Sequence, residues 1–162
     1  LNGEKVGERR PDQNCRCAFR IPWRPGELSA EVYDGAGRLL GRTALRSAGE
    51  ETRLAILPEQ EKVTPEELCF VRLCFADREN MVKPLARADI RVKVSGGTLL
   101  ALGSACPYNE RGYLTDTTDT YYGQALAVIR PDGPGAVHIQ AESKLGCAEA
   151  QVLCTADRGE EL

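Results

Sequence analysis

The chain has 162 residues, 42% of them apolar and 28% charged, enough to bury a real core in one domain or two small ones. Its net charge of −3 excludes the electrostatic footprint of a nucleic-acid binder. No apolar run approaches the roughly 20 residues that span a bilayer, and the start carries no charged-then-apolar signal segment.

Taken in order, the chain reads as short strands between turns. Asn2-Gly3 is a hairpin-turn dipeptide with only Leu1 before it. The missing initiator Met and the missing preceding strand predict a fragment of something longer. A polar strand is expected up to Pro11. Residues 15–21 alternate, with Cys15, Cys17, Phe19 and Ile21 on one face, which predicts a half-buried strand. Trp23-Arg24-Pro25-Gly26 is a turn. Residues 27–33 alternate again with Leu28, Ala30 and Val32 inward, Asp34-Gly35-Ala36-Gly37 turns the chain, and residues 38–46 form the next strand.

Ser47–Glu51 is a connector. Residues 52–63 read as one strand bent at Pro58. Thr64-Pro65-Glu66-Glu67 carries helix-capping chemistry, but the following Leu68–Ala76 segment is rich in β-formers and reads as a strand. Residues 89–95 alternate, Gly96-Gly97 turns, and Thr98–Leu102 follows. A long polar excursion then leads to a strand over 123–130 that is apolar on both faces, as suits the middle of a sheet. Val137, Ile139 and Ala141 mark the inner face of the next strand, and Ala148, Ala150 and Val152 that of the last. Residues 156–162 read as a charged, frayed tail, disordered over 158–162. Strands recurring every 10–15 residues predict an all-β fold: two tandem immunoglobulin-like β-sandwich domains, a truncated one over 1–51 and a complete one over 52–157.

Seven cysteines, with no CxxC and one histidine, fit neither a disulfide framework nor a zinc site. Buried reduced thiols and a bacterial cytoplasmic setting are expected. No cofactor is expected. A hydrolase would need His138, which falls on the outer face of its strand, or paired carboxylates such as Glu66/Glu67, Asp116/Asp119 or Glu160/Glu161, all in loops or the tail. Asp116 and Asp119, set among Thr115, Thr117, Thr118 and Thr120, offer oxygens to calcium. Asx- and ST-turns that tie the loop to itself explain the same composition more economically. Tyr108, Tyr113, Tyr121 and Tyr122 form a candidate sugar-stacking surface, against which stands their use in core and interface packing. The candidate contact residues for carbohydrate or another domain are Tyr108, Asn109, Tyr113, Asp116, Asp119, Tyr121 and Tyr122.

Several segments, in order, resemble a known family. Gly103-Ser104-Ala105-Cys106-Pro107 and Tyr121-Tyr122-Gly123-Gln124-Ala125-Leu126-Ala127-Val128-Ile129-Arg130 resemble the last immunoglobulin-like domain of family 2 glycoside hydrolases, the β-galactosidase and β-glucuronidase group. Gly133–Ala141 looks like that family's following strand. Leu1–Gly7, Trp23–Leu28 and Arg46–Gly49 resemble the preceding accessory domain and its junction. The resemblance implies a non-catalytic C-terminal fragment of a β-galactosidase-like enzyme, whose two catalytic glutamates lie in a barrel outside this chain. It implies packing against that barrel and other domains of the parent, with homo-oligomer contacts as a further role and neither nucleic acid nor membrane as partner. The alternative is a carbohydrate-binding module using the Tyr108–Tyr122 loop.

Overall fold

The computed structural model describes residues 1–156; the tail expected at 158–162 and the pair Glu160/Glu161 lie outside the described residues. The described residues contain strands and no helix. They divide into two compact units, one over Leu1–Ala48 and one beginning at Gly49.

The first unit is built on one antiparallel hairpin, β1 (Glu27–Tyr33) and β2 (Leu39–Arg46). Register places Leu28 opposite Leu45 and Ala30 opposite Thr43 on one face. Glu27 opposite Arg46 and Glu31 opposite Arg42 occupy the other. Arg42 reaches both Glu27 (3.2 Å) and Glu31 (3.8 Å). The face expected inward is exposed, with Val32 at 55% and Leu45 at 74%. A two-stranded ribbon has no second sheet behind it, so alternation alone buries nothing.

Neither the polar strand expected before Pro11 nor the strand expected over 15–21 forms. Instead the Asp12 carboxylate accepts N–H bonds from Asn14 and Arg16, both at 2.9 Å, and Cys15 takes a left-handed φ of 57°. This local Asx turn captures backbone groups that a sheet would have used. Cys15 and Cys17 are therefore exposed rather than buried. The Asn2-Gly3 turn does form, with φ of 54° and 82° and a Glu4 N–H bond to the Leu1 carbonyl. Its Asn2 side chain accepts from the Glu27 N–H (2.8 Å) and donates to the Pro25 carbonyl (3.0 Å), tying the turn to the start of β1.

The second unit packs two sheets around one core. The four-stranded sheet runs in the order β3 (Arg53–Pro58), β5 (Cys69–Ala76), β9 (Gln124–Pro131), β7 (Gly97–Gly103). The five-stranded sheet runs β4 (Lys62–Val63), β11 (Gly146–Cys154), β10 (Gly135–Ser143), β6 (Ile90–Ser95), β8 (Thr117–Thr118). Leu54, Leu73, Phe75, Leu102 and Ile129 from the first meet Ile90, Val92, Val137, Ile139 and Val152 from the second. Each such side chain, fully buried, contributes roughly 1.5–3 kcal/mol.

The single bent strand expected over 52–63 is two strands in different sheets. Pro58, which has no N–H to donate, is the last residue of β3; β4 then pairs in parallel with β11. The capping chemistry at Thr64 is present without a helix: Glu67 Oε2 accepts the Thr64 N–H at 2.8 Å, and the chain turns into β5. Gly96 carries the chain from β6 in one sheet to β7 in the other at φ 74°, where a Cβ would lie 2.2 Å from the Ala136 carbonyl oxygen. Cys69, Cys74 and Cys154 are buried, whereas Cys147 is exposed. Cys147 sits on the outer register of β11, opposite Glu142.

Candidate functional site

The polar excursion between β7 and β9 is anchored along its length. Its middle forms β8, which adds to the edge of the five-stranded sheet with Thr118 opposite Ile90 and Thr117 opposite Arg91. Thus the chain leaves the four-stranded sheet, touches the other, and returns to the first. Thr118 and Thr120 are buried, and their hydroxyls donate to the carbonyls of Asp119 (3.1 Å) and Ala86 (3.0 Å).

The acidic residues of the loop do not converge. Arg91 Nε donates to Asp116 Oδ2 at 2.9 Å, and the Thr117 hydroxyl donates to Asp116 Oδ1 at 2.9 Å. The Thr117 hydroxyl, and then the Arg91 guanidinium, hold this carboxyl below the usual carboxylate range. Asp119 instead takes Arg87, whose Nε donates to Oδ2 at 2.9 Å. Asp89, outside the loop, holds Arg111 in a two-point contact at 3.1 Å. Among the described residues, no group of three or more His, Cys, Asp or Glu side chains is gathered to hold a metal ion. Thr115 and Thr118 bond to the loop's own backbone; for example, the Thr117 N–H donates to Thr115 Oγ1 at 3.1 Å.

Asn109 closes the loop tip. Its amide donates to the Gly112 carbonyl at 3.0 Å and its carbonyl accepts the Arg111 N–H at 3.2 Å. Tyr113 lies back on β7, where its carbonyl accepts the Leu102 N–H at 2.8 Å and its ring covers Gly103. Tyr121 and Tyr122 meet edge to face, centroids 4.5 Å apart at 69°. The facing Tyr122 phenol pushes the Tyr121 pKa up. Between them and β9 the chain makes a tight turn. Tyr122 and Gly123 take φ of 48° and 73°, and the Tyr121 and Gln124 backbones exchange hydrogen bonds at 2.9 and 3.1 Å. Tyr108 is 87% exposed at the loop tip. The residues singled out from sequence therefore spread over a loop tip, a sheet edge and a turn. The arginines that hold the loop, Arg87, Arg91 and Arg111, carry no local sequence signal of that role, since their partners lie 22 to 32 residues away.

His138 is exposed on the outer face of β10, as its alternation requires. It borders a shallow depression of about 250 Å³ lined with Lys93, Ser95, Gln140 and Glu149. Gln140 and Glu149 are bonded to each other across that depression at 2.9 Å.

Residues 54–152, the sandwich that carries this loop, match the family described as glycoside hydrolase family 2 C-terminal domain 5. The chain belongs to that family. Solved structures agree in fold. A glycosyl hydrolase family 2 member from Bacteroides cellulosilyticus superposes with a TM-score of 0.85 at 21% identity, covering 96% of this chain and 21% of its own. A β-glycosidase from Bacteroides vulgatus gives 0.80 at 16% identity, covering 94% and 20%. A β-glucuronidase from glycoside hydrolase family 2 gives 0.69 at 16%, covering 84% and 15%. The chain thus spans about a fifth of the length of the structures it matches. No curated protein matches it. As a family 2 C-terminal domain, it is part of a glycosidase family. No helix among its described residues is long and apolar enough to cross a membrane.

Proposed function

We propose that this family 2 C-terminal chain is a non-catalytic, domain-packing piece of a β-galactosidase-like parent. It consists of one complete immunoglobulin-like sandwich preceded by part of another. The observation that carries this reading is the hairpin of the first unit. One of its faces is apolar and open, through Leu28, Val32 and Leu45, while the other is closed by Arg42 pairing with Glu27 and Glu31. A ribbon of that kind is marginal in water by itself, and its open face is the inner half of a sandwich that other parts of the parent complete. The loop carboxylates support a passive role, since Asp116 and Asp119 are each engaged by an arginine rather than by one another. The Gly103–Pro107 and Tyr121–Arg130 segments support a parent in the β-galactosidase and β-glucuronidase group, and the buried free thiols Cys69, Cys74 and Cys154 support a cytoplasmic setting.

The test compares chain 1–162 with the full polypeptide that contains it. The full polypeptide should release nitrophenol faster from an aryl β-galactoside than from the β-glucuronide, and the purified chain should match a mock preparation. In hydroxyl-radical footprinting, Leu45 should oxidise more slowly in the full polypeptide. Turnover by the chain alone, or equal oxidation of Leu45 in both, overturns the reading.

A second reading rests on Tyr108 and Tyr122, exposed at 87% and 62% on one loop: a carbohydrate module. Calorimetric titration with galactosides and β-linked oligosaccharides tests it. Millimolar or tighter binding that is lost in Tyr108→Ala would favour it over domain packing.

A further inference from the structure

The outer faces of the two sheets in the second unit differ in kind. The five-stranded sheet turns out Arg91, Lys93, His138, Gln140 and Glu142, and polar side chains on it are paired, Lys93 with Glu142 at 3.5 Å and Gln140 with Glu149 at 2.9 Å. The four-stranded sheet turns out Leu57, Phe70, Leu126 and Val128. Register sets Phe70 opposite Val128, and Arg72 between Leu57 and Leu126. Phe70 and Leu126 lie on the two central strands, β5 and β9, yet are 42% and 39% exposed. Gly103, opposite Leu126, has no side chain, and Tyr113 covers it, so the aromatic loop continues the same apolar surface. Arg72 and Arg130 are exposed on this face, and neither makes an ion pair among the described residues. The carboxylates in reach stand at the sheet margin: Asp132, which follows β9 and takes the hydroxyl of Thr98, the partner of Arg130, at 3.0 Å, and Glu59, whose backbone N–H bonds the Phe70 carbonyl.

We propose that this face is a protein-docking surface whose occupant is another domain of the same polypeptide, seating apolar side chains on Phe70 and Leu126 and a carboxylate on Arg72. Large apolar side chains around a central arginine have the composition of an interface core. They offer a sugar few hydrogen bonds, since Leu57, Phe70, Leu126 and Val128 have no polar side-chain atom. A second copy docked face to face about a two-fold axis would bring arginines together as they lose water, a like-charge cost that an acidic surface converts to attraction. The same polypeptide is the source because chains of this fold extend about four-fifths beyond the part matched here. This assignment rests on the domain-packing reading and names a second surface for it.

Hydroxyl-radical footprinting of chain 1–162 and of the full polypeptide tests it, with Leu45 read in the same experiment. Oxidation of Phe70 and Leu126 should fall at least fivefold in the full polypeptide. Arg72→Glu in the full polypeptide should restore it, and Arg72→Lys should not. If Leu45 is protected while Phe70 and Leu126 oxidise equally in both, the docking face is wrong and domain packing stands; if none of the three is protected, both fall. Sedimentation of chain 1–162 as a dimer that Leu126→Asp dissociates would assign the face to a second copy and overturn the proposed occupant.

Discussion

The Tyr113 ring covers Gly103 so closely that a Cβ on residue 103 would stand 2.4 Å from Tyr113 Cδ1 and 2.6 Å from Cε1. The contact joins the tip of a 20-residue excursion to the strand it leaves. Gly103→Ala should force the ring off β7 and destabilise the protein by about 1–3 kcal/mol, the usual range for overpacking. In a Tyr113→Ala background the same change should be close to neutral. Urea unfolding of the four proteins closes the cycle; equal losses in both backgrounds would mean that the ring is not what Gly103 makes room for.

Two glycines with similar backbone angles should respond differently. Gly96 has φ 74° and Gly112 has φ 68°. A Cβ at Gly112 meets open space, so Gly112→Ala costs only the left-handed conformation, about 1–2 kcal/mol. A Cβ at Gly96 would lie 2.2 Å from the Ala136 carbonyl, a backbone atom held in the β10–β11 pairing. Gly96→Ala should therefore cost clearly more, or leave no cooperative unfolding transition. Comparable midpoints for the two variants would contradict the geometry of the sheet-switching corner.

Asp77 should make stability pH-dependent. Its carboxylate accepts N–H bonds from Gly49 at 2.8 Å and from Glu79 and Met81 at 2.9 Å, which holds it below the usual carboxylate range. A carboxyl depressed in the folded state stabilises above its unfolded pKa of about 3.9 and loses that contribution as pH falls through the folded value. Asp77→Asn should remove this part of the acid slope. The asparagine has one acceptor oxygen, which best serves the two donors at Glu79 and Met81 and turns its NH₂ toward Gly49. Amide exchange should therefore accelerate at Gly49 more than at Met81. The reverse order would be incompatible with the observed arrangement.

The seven thiols should sort by burial. Cys15, Cys17 and Cys147 are exposed and should react with a disulfide reagent in the native protein. Cys69, Cys74 and Cys154 should react only on unfolding; burial pushes the Cys69 and Cys74 thiols up and away from thiolate. Cys106, half-buried in the loop, should fall between. Cys74 is buried with Ala55 and Ala76 beneath Leu57 and Val82, on the side of β5 away from the main core, so fast native labelling of Cys74 would mean that this small cluster is open.

Most strands of the second unit were legible because their apolar residues alternate. Leu54/Ile56, Ile90/Val92 and Val137/Ile139 each face the core as the period of two requires. The same period failed at Cys15–Ile21, where Asp12 folds the backbone onto itself, and at Leu28–Val32, where a strand forms but no second sheet lies behind it. Of the candidate site, Asn109 and Thr115 behave as Asx and ST chemistry suggests, because their bonds are local. Arg87 with Asp119 and Arg91 with Asp116 were not legible, because only the fold brings residues 25 to 32 positions apart together.

By itself, then, the sequence determined that this is an all-β chain, where most of its turns lie, and which face of each well-formed strand is apolar, since these follow from neighbours along the backbone. Tertiary structure alone decided which sheet each strand joins. It sent β3 and β4, and β6 and β7, to opposite layers across Pro58 and Gly96. The central place of β9 in its sheet was already implied by its two apolar faces; tertiary structure alone decided that one of those faces stays uncovered. Alternation records that a side chain avoids water; it carries no record of what covers it.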